Sequence, residues 1–282
     1  MINYNGNLYP HDTSFLNHEN RGLCYGDALF ETIRVVNSKP IFWEAHYMRL
    51  MASMRILRME IPMTFTMEFL EAQIIDTLNG NQLGQTPSRV RLTVFRNDGG
   101  LYTPTSNEVS FIIAVKGLQM PFYGVEDDAY AIGLYKDFFV NPDMLSTLKT
   151  NNRILNVTGS IFAQENGFDN CLLLNTQKNV VEALNGNLFL VQDNEVRTPP
   201  LADGCINGII RNKLMHILEN LEEFKIIETS ISPFELQKAD ELFITNAIVG
   251  IQPITKYRKK IYANTVAKNL LGKLNAMARV AS

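Results

Sequence analysis

Two stretches with alternating apolar and polar residues, Ser88 to Phe95 and Glu108 to Val115, flank a Gly/Pro/Ser-rich segment from Asn97 to Asn107. Alternation at period two specifies strands with one face against a core. No helical pattern lies between them, so this part of the chain cannot be a βαβ repeat. Upstream, Ile2 to Tyr9 reads as a short strand and turn. From Asn20 to Val36 a Gly26-Asp27 turn leads into an alternating strand. Asn37-Ser38-Lys39-Pro40 reads as a hairpin turn into Ile41-Phe42-Trp43. Helical periodicity then runs from Glu44 to about Met59, with Pro62 as its stop, and from Thr66 to Leu78. Runs of strand and runs of helix define an α+β unit.

The pattern breaks between residues 118 and 128, where Pro121, Gly124 and an acidic run meet, and this break separates an N-terminal α+β domain, 1–117, from a C-terminal domain, 129–282. In the second part Ala129 to Tyr135 reads as a strand, and a helix runs to about Glu165 with Ile154, Val157 and Ile161 as its apolar stripe. Short strands follow from Gly167 to Pro200, with turns at Asn175, Gly186 and Asp193. Helices are expected from Gly208, with Asn207 as N-cap, near Pro233 to Lys238, and from Thr265 to Arg279. Strands are expected at Glu241 to Thr245 and Ile248 to Thr255.

Composition narrows the function. With 46% hydrophobic residues in 282 the chain can bury a sizeable core, and a net charge of −3 leaves no footprint for nucleic acid or an anionic membrane. Cys24, Cys171 and Cys205 match no disulfide or zinc framework, and His11, His18, His46 and His216 show no paired ligand spacing. The N-terminus carries no signal-peptide pattern and no apolar run is long enough to span a bilayer, so the expected compartment is the cytoplasm.

Five places carry residues suited to chemistry. Lys149, in Leu145-Ser-Thr-Leu-Lys149-Thr-Asn-Asn152-Arg153, stands between a polar turn and a helix, where partial desolvation would favour a neutral, nucleophilic amine. Glu182 is a carboxylate on an apolar strand; if buried it needs a partner carrying a proton. Arg49, in His46-Tyr-Met-Arg49-Leu50, could pair with a phosphate through two hydrogen bonds. The Ile206-Asn207-Gly208-Ile209-Ile210-Arg211 segment opens a helix whose N–H groups could face an anion. Thr245-Asn246-Ala247 ends an apolar strand in small polar residues. Taken one at a time, each has an ordinary alternative: a solvated lysine, a surface carboxylate or arginine, a capped helix, a turn.

Their order along the chain resembles the class IV aminotransferase family. The resemblance runs from the Tyr25-Gly26-Asp27…Phe30-Glu31 box, through Arg49, Lys149, Glu182 with Asn187-Leu-Phe and Gly208-Ile-Ile-Arg211, to Ala239-Asp-Glu-Leu-Phe-Ile-Thr-Asn246 and Pro253. It implies an α+β two-domain protein of the pyridoxal-phosphate-dependent fold type IV, similar to D-amino-acid aminotransferase. That fold has a small N-terminal α/β sandwich and a larger C-terminal β-barrel-like domain with helices, with pyridoxal 5'-phosphate (PLP) held between them. Lys149 would form the internal Schiff base and move the substrate's α-proton. Glu182 would keep the pyridine nitrogen protonated. Arg49, Gly208, Ile209, Ile210, Asn246 and Ala247 would surround the phosphate, with Ile206 on the ring face. Tyr25, Phe30, Arg96, Tyr102 and Arg153 would line the substrate pocket. A homodimer is implied, the neighbouring subunit helping to form that pocket, and the substrates would be an amino acid and a 2-oxo acid.

The departures are specific. Where many members have Gly-Ile-Thr-Arg this chain has Gly208-Ile209-Ile210-Arg211, and Ala247 stands where some have threonine, so two hydroxyl contacts are missing. Lys149 to Arg153 and Thr245 to Ala247 resemble the 4-amino-4-deoxychorismate lyases, whereas Phe30-Glu31-Thr32 resembles the aminotransferases. The lyase-like arginine segment is half kept, as Arg96-Asn97-Asp98-Gly99-Gly100-Leu101, and Gly100-Leu101-Tyr102 does not supply the arginine–histidine trap of the D-amino-acid branch. The expectation is a transaminase favouring branched-chain substrates, with the lyase as alternative and a non-catalytic PLP-fold binding protein as a third reading.

Overall fold

The computed structural model describes residues 1–125 and 128–280, and divides the chain into two units: Met1–Phe122 with Lys149–Asn152 and Ala278–Ser282, and Tyr123–Leu148 with Arg153–Met277. Of the break expected at 118–128, Glu126 and Asp127 lie outside the described residues.

The first unit contains β1 (Ile2–Tyr4), β2 (Asn7–Tyr9), α1 (Arg21–Tyr25), β3 (Ala28–Val36), β4 (Lys39–Pro40), α2 (Trp43–Ile56), α3 (Met67–Gly80), β5 (Ser88–Arg96) and β6 (Val109–Gly117). They form one antiparallel six-stranded sheet in the order β2-β1-β6-β5-β3-β4. The Thr66 hydroxyl accepts from Phe69 N and starts α3 one residue after the expected point. Two local readings change. Strand pairing stops at Pro40 and Trp43 already opens α2, and the Gly26-Asp27 turn is preceded by the short helix α1, capped by Asn20. A five-residue helix is too short to show periodicity.

The register of β3 against β5 decides what each face carries. Leu29, Glu31 and Ile33 point to one side and Phe30 and Thr32 to the other, and Phe30 and Thr32 oppose Thr93 and Arg91. All but one residue of β3 is buried, so both faces are covered.

The second unit holds β7 (Ala131–Val140), α4 (Ile154–Glu165), β8 (Asn170–Asn175), β9 (Val180–Ala183), β10 (Asn187–Gln192), β11 (Glu195–Thr198), α5 (Ile209–Glu219), β12 (Lys225–Glu228), β13 (Glu241–Asn246), β14 (Gly250–Ile254), β15 (Lys256–Tyr257), β16 (Lys260–Ile261) and most of α6 (Thr265–Val280). Two five-stranded sheets, β12-β11-β10-β13-β14 and β16-β15-β7-β8-β9, enclose one apolar core to which Leu172, Val180, Leu188, Leu242 and Tyr257 all contribute. The sequence pattern does not predict β12; it pairs parallel to β11 after the α5 crossover. Pro233–Lys238 holds only a short turn of 3₁₀ helix, Glu235–Gln237. The buried Glu241 carboxylate accepts from Val266 N at 2.9 Å and Ala267 N at 3.0 Å and so caps α6 from another element.

The α4 stripe is oriented opposite to expectation. Ile154, Val157 and Ile161 are 74%, 52% and 49% exposed, while Gly159 and Ala163 are buried with Leu155 and Phe162 beside them. Gly159 lets the helix come close to Tyr135 and Leu184, and that approach fixes which side packs. Among the described residues no helix is long and apolar enough to cross a membrane.

Candidate active site

Lys149 lies in an extended segment alongside β3, ahead of α4 rather than at its entrance. Phe30 N donates to Lys149 O at 2.9 Å, Asn151 N donates to Ala28 O at 2.9 Å, and Leu29 bridges Thr150. Asn152 Nδ2 donates to Gly26 O at 3.2 Å. Gly26 has φ +65, and a β-carbon there would collide with the Asn152 amide, so this glycine is required on both counts. The local pairing sets the lysine over an aromatic face: Lys149 Nζ is 4.4 Å from the Phe30 ring centroid.

Arg91 stacks on that same ring, its Cζ 3.8 Å from the centroid. Its hydrogen bonds go to neutral acceptors, Thr93 Oγ1 and Asn151 Oδ1, both at 3.3 Å. Burial, and then the neighbouring Arg89 charge, push its pKa below the ordinary arginine value. Sequence pattern alone does not single out Arg91, because an arginine on an alternating strand reads as a wet-face residue. The signal that finds it is the β3–β5 register, which places it diagonal to Phe30.

On the opposite face of β3, the Glu31 carboxylate accepts from Arg49 Nε at 2.8 Å, Arg49 Nη2 at 2.5 Å and His46 Nδ1 at 2.6 Å. Glu31 and His46 are almost fully buried. Burial alone would raise the Glu31 pKa; the Arg49 charge and the His46 and Arg49 hydrogen bonds outweigh it and bring the value to about 2. Burial lowers the His46 pKa despite the bond to Glu31, and the Lys149 charge adds to the lowering. The imidazole is therefore neutral near pH 7 and donates through Nδ1–H, which fixes its tautomer. Arg49 thus has a rigid mount, since two of the five guanidinium N–H groups are used to hold it in plane.

Three expected substrate residues have varied surroundings. Arg96 is buried and its guanidinium is engaged by Asp27 Oδ2, Asn107 Oδ1, Leu57 O and Arg58 O, so it positions the loop that follows β5. Tyr102 is exposed at the tip of that loop, its ring 5.7 Å from that of Tyr25. In the second unit, Arg153 Nη2 donates to Leu148 O at 2.7 Å, and burial lowers its pKa although the Glu182 charge opposes this.

Glu182, on β9, is 5% exposed; its Oε2 accepts from Ile206 N at 3.0 Å and Asn187 Nδ2 at 3.3 Å. Asn187 Nδ2 also donates to Ile206 O at 2.8 Å, which ties the carboxylate to the segment leading into α5. Burial pushes the Cys205 thiol up to about 12, with the Glu182 charge adding to the rise. The N-cap of α5 is Gly208, not Asn207: Asn207 Oδ1 instead accepts from Asn212 Nδ2 at 2.8 Å, and no side chain caps the helix. Any β-carbon at 208 would overlap the Asn187 amide, so glycine is needed for the Asn187–Glu182 link. On β13 the Thr245 hydroxyl is buried without a hydrogen-bond partner among the described residues. Next to it Asn246 Oδ1 accepts from Ile248 N and Val249 N, both at 3.0 Å, forming the turn that contains Ala247.

These groups suit PLP: a buried carboxylate that can accept from a pyridine N–H, and an uncapped helix start with a spare hydroxyl that can donate to a phosphate. The sequence profile described as amino-transferase class IV matches residues 28–257. A Methanocaldococcus jannaschii protein assigned provisionally as a branched-chain-amino-acid aminotransferase is 27% identical over 97% of this chain and 93% of its own. The aminodeoxychorismate lyase of Vibrio harveyi is 26% identical over 83% of this chain and 84% of its own. Branched-chain amino acid aminotransferase of Escherichia coli shares the fold, with a TM-score of 0.86 at 21% identity over 98% of this chain and 94% of that one. The chain belongs to the class IV aminotransferase family, whose members are PLP-dependent enzymes.

Proposed function

We propose that this enzyme is a transaminase for apolar, branched-chain-type amino acids, passing the amino group to a 2-oxo acid. The observation that carries this reading is the Phe30 ring with Lys149 on it at 4.4 Å and Arg91 at 3.8 Å. An amino acid whose carboxylate pairs with Arg91 brings its α-carbon to the lysine amine and rests its side chain on an aromatic surface. PLP, when bound, supplies a carbonyl that condenses with amines and a ring that delocalises the charge left by the departing α-proton. Lys149 Nζ would take that proton and hold it for return on the cofactor side of the carbon–nitrogen bond. Glu182 would accept from the pyridine N–H and so keep that nitrogen protonated. Arg49, held by Glu31, would offer its guanidinium to the phosphate, and the N–H groups of Ile209 and Ile210 and the Asn246-Ala247 turn would offer theirs. Ile206 would pack on the ring, and Tyr25, Tyr102 and Arg153 would line the space for the substrate.

The lyase reading is kept because a lyase is among the relatives and because Asn151 and Asn152 follow the lysine. Against it, Arg96, the arginine kept from the lyase-like segment, is taken up by Asp27 and backbone carbonyls rather than offered to a substrate carboxylate. The test offers PLP-loaded protein a panel of amino acids with 2-oxo acids and, separately, aminodeoxychorismate. Keto-acid formation from leucine or isoleucine is expected; p-aminobenzoate with pyruvate as the only products would replace the transaminase by the lyase. No turnover in either arm would leave a binding protein.

A homodimer fits the same reading. The row Ile154, Val157 and Ile161 on α4 supplies an apolar face that a second copy would cover. Sedimentation should give about twice the 31.9 kDa chain mass, and Val157→Lys with Ile161→Lys should return it to one. A wild-type monomer would rule out this assembly.

A further inference from the structure

Arg21, in α1, is buried yet has no part in the chemistry above. Its Nε donates to Asp27 Oδ2 at 2.9 Å, Nη1 donates to Gly99 O at 3.1 Å and Leu101 O at 2.6 Å, and Nη2 donates to Tyr102 O at 3.3 Å. Its Cζ lies 5.0 Å from the Tyr25 ring centroid. One side chain therefore holds three carbonyls of a loop tip and one face of Tyr25, whose ring in turn meets Tyr102.

Besides Arg21, the Gly100–Pro104 bridge closes the tip on itself, and Asp98, just before it, accepts from Asn17 and Asn20. Leu101 and Tyr102 are 77% and 89% exposed, so burial of their side chains contributes little to their position. Gly99 and Gly100 have φ of +115 and +75, conformations that only glycine adopts readily, and glycine also leaves the unclamped chain many alternatives. Arg96 holds the base of the loop through Asn107 and shares Asp27 with Arg21. The two arginines therefore act at different heights, Arg96 closing the base and Arg21 shaping the tip. A planar fork with five donors can span several carbonyls at fixed angles, which a lysine with a single nitrogen cannot.

We propose that Arg21 is a positioning residue that sets which amino-acid side chains the enzyme accepts, by holding Tyr25 and the Leu101–Tyr102 tip in one arrangement. This rests on the transaminase reading, in which Tyr25 and Tyr102 line the space for the substrate.

The experiment compares wild type, Arg21→Gln and Arg21→Lys, each saturated with PLP. Hydrogen exchange at the amides of residues 99–103 is measured without substrate, and kcat and KM are measured for amino acids from alanine to leucine. Arg21→Gln is expected to speed exchange at the tip at least tenfold. The leucine-to-alanine ratio of kcat/KM should fall by about tenfold through KM, corresponding to about 1.4 kcal/mol of discrimination, with cofactor content unchanged. Arg21→Lys, which retains the charge beside Asp27, should fall between the two and decides the matter if Arg21→Gln does not fold. Unchanged exchange would remove the clamp. Faster exchange with an unchanged ratio, or an equal loss for every substrate, would reduce Arg21 to a purely structural residue. A wild type inert toward every amino acid would overturn the transaminase reading itself, and the specificity role with it.

Discussion

Lys149→Ala should abolish the visible absorbance that PLP confers on the protein and lower kcat/KM by about 10⁴-fold or more, because the amine that binds the cofactor and moves the proton is lost. The structure makes this substitution clean. The backbone of residues 149–151 is held against β3 by Phe30 N, Ala28 O and the Leu29–Thr150 bridge, none of which involves the lysine side chain. Folding should therefore be preserved, and circular dichroism and the urea midpoint should match wild type. A variant that kept both its colour and its turnover would refute the role given to Lys149.

Glu31→Ala should destabilise the first unit by about 3 kcal/mol, the penalty for leaving a largely buried guanidinium without its carboxylate. Its target is the carboxylate that Arg49 and His46 share. The same variant should release PLP more readily, since Arg49 loses the partner that holds its plane. The triad also sets an acid limit. The Glu31 pKa falls from 4.5 to about 2 on folding, so its stabilisation is complete above about pH 4.5 and is lost as pH falls toward 2. That difference corresponds to roughly 3 kcal/mol. His46 acts earlier in the descent. Its pKa is lowered from 6.5 in the fold, so below about pH 6.5 the unfolded chain takes up a proton that the folded one refuses. Urea midpoints should therefore decline from about pH 6.5 and fall more steeply below 4.5, and Glu31→Ala should lose the steeper part. A mutant within 1 kcal/mol of wild type at pH 7, with the same acid profile, would show that Arg49 finds another anchor.

Much of the secondary structure is legible in the sequence because its causes are local. The Thr66 cap, the helix ending at Glu165 and the alternation of β5 appear where caps and periods place them. Where local cues are weak or misleading, neighbours decide. Asn207 offers a capping side chain, but the Asn187 amide fills the space beside Gly208, so the helix starts at a residue without one. The α4 stripe has helical spacing, yet Gly159 allows the tighter approach on the other side and turns Ile154, Val157 and Ile161 outward.

The order of Arg49, Lys149, Glu182 with Asn187, the Gly208 turn and the 239–246 segment carries the resemblance to the family, because each of these groups leaves a short contiguous trace. What only the tertiary structure decided is the use of the arginines. Arg21, Arg49, Arg91 and Arg96 look alike in the sequence, and their partners are Gly99 to Tyr102, Glu31, the Phe30 ring and the Leu57 and Arg58 carbonyls. What a guanidinium does is set by which acceptors surround it, and strand register and loop closure bring those acceptors from positions up to 81 residues away.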